Sequence, residues 1–165
     1  MTMRFDPIAE AARQWREHWG EDTAPPMTAT ISVMRAFQIM LARLNQALEP
    51  YELTYPRYEA LMLLYYSRSG SLPLGKMSVR LQLHQTSLTP LVDGLVRLNY
   101  AARVPHPTDR RTTLAQITDS GLEIALRATE LLNADGFGLA ALDEDEQERV
   151  TELLRTLRQE AGDFE

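Results

Sequence analysis

LPLGKMSVRLQLHQTSLTPLVDGLVRLNYAARVPHPTDRRTTLAQIT, residues 72–118, holds two short helical patterns followed by an extended one. In the first helix Leu74, Met77, Val79 and Leu81 are expected on the buried side. Gln82-Leu83-His84 supplies a turn. The second helix, Gln85 to Leu98, places Leu88, Leu91, Val92, Leu95 and Leu98 at spacings of three and four. Two helices crossing at a tight turn form a helix-turn-helix. Pro90 constrains the second of them, because an interior proline loses a hydrogen bond and crowds the preceding turn. A cap at Thr86 or Ser87 would put Pro90 in the first turn, where its missing N–H does no harm. Either cap leaves Gln85, Thr86, Ser87 and Thr89 at the exposed N-terminal end, the end a recognition helix presents to a major groove.

Beyond Asn99 the pattern is extended: Ala101 to Val104, a turn Pro105-His106-Pro107-Thr108-Asp109-Arg110-Arg111, then Thr112 to Ile117. Prolines and an Asp favour the turn, and the β-branched run favours a returning strand. Ser71 to Pro73 is expected to add a short third strand. Two arginines at a hairpin tip point outward, and an exposed arginine on a thin hairpin suits the narrow, strongly negative minor groove. Residues 74–117 therefore read as a winged helix-turn-helix lobe. Thr86, Ser87 and Thr89, beside Gln85, are expected on phosphates or base edges, and Arg80 and Arg97 on the backbone. In the wing, His106, Asp109, Arg110, Arg111 and Thr112 are the DNA-facing set, one arginine entering the minor groove while Asp109 holds the other.

TPLVDGLVRLNYAARVPHPTDRRTTLAQITDSG resembles the segment that marks the MarR (multiple antibiotic resistance regulator) family of bacterial repressors. Its signature is an Asp-x-Arg wing tip, here Asp109-Arg110-Arg111, followed by Leu-Thr-x-x-Gly, here Ile117-Thr118-Asp119-Ser120-Gly121. The likeness runs from about Thr28 to Glu160 in order of elements. It implies a homodimer on a near-palindromic double-stranded operator, with release by a small ligand in many members.

A net charge of −6 looks wrong for a DNA binder, so its distribution decides. Between Leu74 and Thr113 stand Lys76, Arg80, Arg97, Arg103, Arg110 and Arg111 against Asp93 and Asp109, a local +4 that leaves −10 elsewhere. Phosphate binding depends on the local field, and the far surface can be acidic. The 165-residue length suits one ordinary domain, and 44% hydrophobic content with strong periodicity argues against disorder. A membrane span and a signal segment are not read in the sequence, which makes a cytoplasmic location the expectation. Zero cysteines exclude disulfides and thiolate chemistry, including cysteine-based peroxide sensing.

Working outward, Asp6-Pro7 opens a helix to about Trp19, with Ile8, Ala12, Trp15 and Trp19 on one stripe. Glu21 to Pro26 reads as a linker, so 1–26 is an N-terminal helix and linker, and 27–165 a single domain. Thr28 or Thr30 starts the next helix, which carries Ile31, Met34, Phe37, Leu41, Leu44 and Leu48 and ends at Glu49-Pro50. Thr54 is expected to cap a helix with Pro56 in its first turn and Leu61, Leu64 and Tyr65 inward. Thr118 caps a helix to about Asn133, with Leu122, Ala125, Leu126, Ala128, Leu131 and Leu132 inward. Asp143 starts the last helix, whose stripe is Val150, Leu153, Leu154 and Leu157. The fold class is mainly α with a small β wing, about seven helices, and a dimer formed by the N- and C-terminal helices, 27–50 and 118–165.

Catalysis finds little support. His18, His84 and His106 lack zinc-ligand spacing, and neither a nucleophile elbow nor a nucleotide-binding loop is present. The reading is thus a non-enzymatic, cofactor-free regulator, the alternative being a winged helix kept as a protein-interaction module. The Trp-bearing N-terminal helix is similar to that of the urate-responsive MarR branch. That resemblance implies a small-molecule site at Trp15, Arg35, Tyr58, Glu59 and Arg103, although Leu91 stands where that branch carries a recognition-helix arginine.

Overall fold

A computed structural model describes residues 4–109 and 111–164; Arg110 lies outside them. Its contacts divide the chain into two compact units, 1–43 and 44–165.

In the first unit, α1 (Pro7–Trp19) starts where Asp6 accepts the Ile8 amide at 2.9 Å and ends at Gly20, whose φ of 94° suits a residue without Cβ. The Trp15 indole donates to Thr23 Oγ1 at 3.1 Å, and its ring lies 6.1 Å from that of Trp19. α2 (Ala24–Leu48) begins earlier than Thr28 or Thr30. Pro25 and Pro26 fall in its first turn, where the N–H groups have no intrahelical partner, so a stretch that reads as linker is helix. Val33, Met34 and Phe37 stand exposed along it.

The second unit comprises α3 (Tyr55–Tyr65), β1 (Ser71–Pro73), α4 (Leu74–Arg80), α5 (Gln85–Arg97), β2 (Ala101–Pro105), β3 (Thr113–Ile117), α6 (Asp119–Ala134) and α7 (Glu144–Glu160). Thr54 precedes α3 but its hydroxyl caps nothing; Asn45, on the last turns of α2, accepts the Tyr55 amide at 2.7 Å instead. Leu61 and Leu64 of α3, Met77 of α4 and Leu88, Val92 and Leu95 of α5 are fully buried together with Leu132 of α6. Tyr58 Oη and Thr129 Oγ1, 2.9 Å apart, tie α3 to α6.

The sheet is antiparallel in the order β1-β3-β2, Leu72 and Arg103 flanking Ala115 from either side, so the expected third strand is present. Two expected inward sets differ from the structure. Val79 is 78% exposed, because it sits two residues, some 200° of helix rotation, from buried Met77. On α6, Ala125, Ala128 and Leu132 point inward, while Leu122 and Leu126 on one flank and Leu131 on the other stand exposed. α7 opens with a capping box between Asp143 and Glu146 and keeps Leu153 and Leu157 exposed. Among the described residues no helix is long and apolar enough to cross a membrane.

Candidate nucleic-acid interface

The turn between α4 and α5 is fixed from inside. Gln82 adopts a left-handed φ of 53°, the Leu83 amide donates to the Ser78 carbonyl at 3.0 Å, and the Ser78 hydroxyl donates to the Leu83 carbonyl. The Gln82 side-chain amide donates to Asp163, which Arg158 also grips at 2.6 Å; these two partners hold the Asp163 carboxyl below its ordinary range, Arg158 foremost.

The cap of α5 is neither Thr86 nor Ser87 but His84. Its Nδ1 accepts the Thr86 amide at 3.3 Å and lies 2.8 Å from the Thr86 hydroxyl. The helix consequently starts at Gln85, and Pro90 lies in its second turn rather than its first. There it deprives the Thr86 carbonyl of its ordinary i+4 donor. Gln85, Thr86 and Ser87 are exposed at the free end and Thr89 is half-buried, its hydroxyl donating to the Gln85 carbonyl at 3.1 Å. Thr86, Pro90, Asp93 and Arg97 form a ridge opposite buried Leu88 and Leu95, as the 100° step per residue requires. Arg80 and Arg97 stand exposed in the last turns of α4 and α5. Arg97 is therefore about 18 Å along the axis from Gln85.

Wing geometry centres on two side chains. Asp109 accepts the Thr112 hydroxyl at 2.7 Å and the Arg111 amide at 3.0 Å, and these donors, Thr112 first, hold its carboxyl below the usual carboxylate range. His106 Nδ1 accepts the amides of Thr108 at 3.3 Å and Asp109 at 3.2 Å, while the His106 amide donates to the Thr112 carbonyl. Asp109 thus holds Arg111 through its backbone amide, which leaves the exposed guanidinium outside that contact.

Between helix and wing, Arg103 Nη2 meets Asp93 Oδ1 at 2.8 Å, fastening the root of β2 to α5. A second joint lies at the end of the hairpin. Thr118 Oγ1 donates to the Asn99 carbonyl at 2.7 Å and accepts the Gly121 amide at 3.0 Å; Ser120 donates to the same carbonyl at 2.6 Å. A third contact was invisible to periodicity. The Arg57 guanidinium of α3 lies against Gly94 of α5, where a Cβ would stand 2.5 Å from Nε, and that buried Nε has no hydrogen-bond partner among the described residues.

Of the residues expected at a small-molecule site, Trp15 and Arg35 belong to the first unit and Tyr58, Glu59 and Arg103 to the second. Tyr58 and Glu59 line a shallow groove with Met62, Leu63, Tyr66 and Leu81. Burial raises the Glu59 carboxyl above its ordinary value. Arg103 is committed to Asp93.

A family model described as the MarR family matches residues 53–113. The HTH-type transcriptional regulator YhbI of Bacillus subtilis is 33% identical over 119 residues, 72% of each chain. Sco5413, a MarR family transcriptional regulator of Streptomyces coelicolor, has a solved structure that superposes with a TM-score of 0.78 at 48% identity, covering 86% of this chain and 98% of its own. Sco3205 of the same organism, solved in complex with DNA, shares the fold at 21% identity, with a TM-score of 0.74 and coverage of 83% and 88%. With the helix-turn-helix and wing in this arrangement, and with relatives matched over most of its length, the chain belongs to the MarR family of transcriptional regulators.

Proposed function

We propose that the protein is a dimeric repressor that binds a near-palindromic duplex in the cytoplasm, α5 in the major groove and the Asp109 wing in the minor groove. The observation that carries this reading is the pairing of an unobstructed α5 N-terminus with a wing whose turn is closed by its own side chains. Both sit in the stretch with a local charge of +4. Dimerisation is supported by apolar rows left open on helices at both ends of the chain, Met34 and Phe37 on α2 and Leu153 and Leu157 on α7. Such rows are what a large, partly hydrophobic interface requires. Two-fold symmetry then calls for half-sites about one helical turn apart.

Duplex selected from a random pool and titrated at several salt concentrations tests this. The expected result is a dimer on an inverted repeat whose affinity falls steeply with ionic strength, because bound phosphates release counterions. A protein that stays monomeric, or retains no duplex at low salt, would instead fit an interaction module.

Release by a small anionic or aromatic ligand is the second part of the proposal, with Trp15, Arg35, Tyr58, Glu59 and Arg103 as contacts. It is supported by the raised carboxyl of Glu59 beside an aromatic-lined groove. A ligand carboxylate would have to compete with Asp93 for Arg103, whose ion pair is surface-exposed and so weak enough to exchange. Calorimetry with urate and salicylate should give heat with the natural protein and little with Trp15→Ala; equal heats would remove this site.

A further inference from the structure

We infer that the N-terminal half of α5 reads an A·T element in each half-site, using thymine methyls and a single adenine-directed amide. The inference rests on the proposed DNA binding and names the bases that this helix selects. Thr86 and Pro90 lie on the ridge opposite the core and Thr89 beside them, at i, i+4 and i+3. The Thr89 hydroxyl donates to the Gln85 carbonyl, and the Thr86 hydroxyl lies 2.8 Å from His84 Nδ1. With both hydroxyls engaged beside their own helix, what these two side chains present to a groove is chiefly methyl carbon. Pro90 adds an exposed ring and no N–H. Among the major-groove edges only thymine carries a methyl, its C5 substituent, and it is matched by apolar side-chain atoms.

Gln85 supplies the polar half. Its side-chain amide makes no hydrogen bond within the described chain and is exposed at the first position of the helix. A glutamine amide pairs in two-pronged fashion with adenine N6 and N7. Guanine needs the opposite, two donors from Arg or Lys to O6 and N7. From Gln85 to Val96 the helix has neither, and Arg97 stands at its far end. The one anion on the ridge, Asp93, is held by Arg103. The helix is thus equipped for A·T pairs, lacks the Arg or Lys that rewards guanine, and keeps in Ser87 a hydroxyl that suits either pair.

Replacing thymine by deoxyuridine removes the C5 methyl and nothing else, so it isolates the contact. Duplexes are first selected from a random pool, and each half-site thymine is then replaced in turn. The expected outcome is an A·T core under α5 and a loss of roughly fourfold in affinity for each contacted methyl. In the Thr86→Ser/Thr89→Ser variant, which keeps both hydroxyls and Pro90, the preference for thymine over uracil duplexes should shrink to the part the Pro90 ring supplies. Gln85→Ala should cost roughly tenfold on the selected site and relax the choice at one adenine. Selected sites with a fixed G·C pair at the core, or uracil duplexes bound as tightly as thymine ones by the natural protein, overturn the inference while leaving DNA binding intact. Retention of no sequence at all overturns the DNA-binding reading beneath it.

Discussion

Gly121→Ala is expected to lower the melting temperature by roughly 6–12 °C, corresponding to about 3 kcal/mol in a chain of this size. On helix propensity alone the change should help, since an interior Gly costs about 1 kcal/mol relative to Ala. The location reverses the sign. Gly121 is buried in the first turn of α6, and a Cβ there would stand 2.0 Å from the Tyr100 carbonyl oxygen and 3.0 Å from Ile117 Cγ1. That oxygen is backbone and already accepts the Thr118 amide at 3.1 Å, while the neighbouring Asn99 carbonyl is gripped by Thr118 and Ser120. Neither side can give way without breaking bonds at the junction of wing and α6. Gly94→Ala is the comparison: its Cβ would meet the end of the Arg57 side chain, which can swing aside, so a smaller loss is expected. Gly75→Ala, with open space around it, should be nearly neutral. Thermal melts of the three variants check the order. A Gly121→Ala protein as stable as the natural one would mean that this close approach does not exist in solution.

The same glycine shows where sequence reading succeeds and stops. The motif Ile117-Thr118-Asp119-Ser120-Gly121 was legible, and so was the Thr118 cap, because cap chemistry is local. That Tyr100 fills the space beside Gly121 depends on how a hairpin returns to a helix, which no local pattern encodes. Helix existence followed from three-and-four spacing except in α4, whose apolar residues step by three, two and two. Helix ends did not: α2 starts on a pair of prolines that resemble a linker, α3 is capped by Asn45 from ten residues upstream of Tyr55, and α5 by an imidazole that accepts only in one tautomer. Leucines on α6 were over-assigned to the core because Leu122, Leu126 and Leu131 flank the buried Ala125-Ala128-Leu132 row on either side, and only the packed partners decide where burial ends. At the candidate site, the α5 N-terminus and the Asp109 turn were legible from residue type. The Arg57 contact on Gly94 was not, being tertiary, and Arg110, singled out for the wing tip, lies outside the described residues.

Asp109→Ala sets two effects of opposite sign against each other in the wing. Removing a carboxylate from a DNA-facing loop adds one positive charge, and long-range electrostatics alone would tighten binding to phosphate. The hydrogen bonds argue the other way. The carboxylate accepts the Thr112 hydroxyl and the Arg111 amide, so it fixes where the Arg111 side chain leaves the loop. Charge-assisted bonds of this kind are among the stronger ones, and losing both should release the turn. We expect operator affinity to fall roughly thirtyfold or more, with the melting temperature unchanged to within about 2 °C. Asp109→Asn separates the terms, because it adds the same charge yet keeps a carbonyl oxygen to accept the Arg111 amide. If geometry governs, Asn retains most of the affinity that Ala loses; if charge governs, both variants bind more tightly than the natural protein. The titration carries its own sign. Because the folded carboxyl is held below its ordinary value, its contribution is full above the usual carboxylate range and disappears only as pH falls through the depressed value. Wing order should therefore persist through mildly acidic conditions, and affinities of the natural protein and Asp109→Ala should converge only in stronger acid.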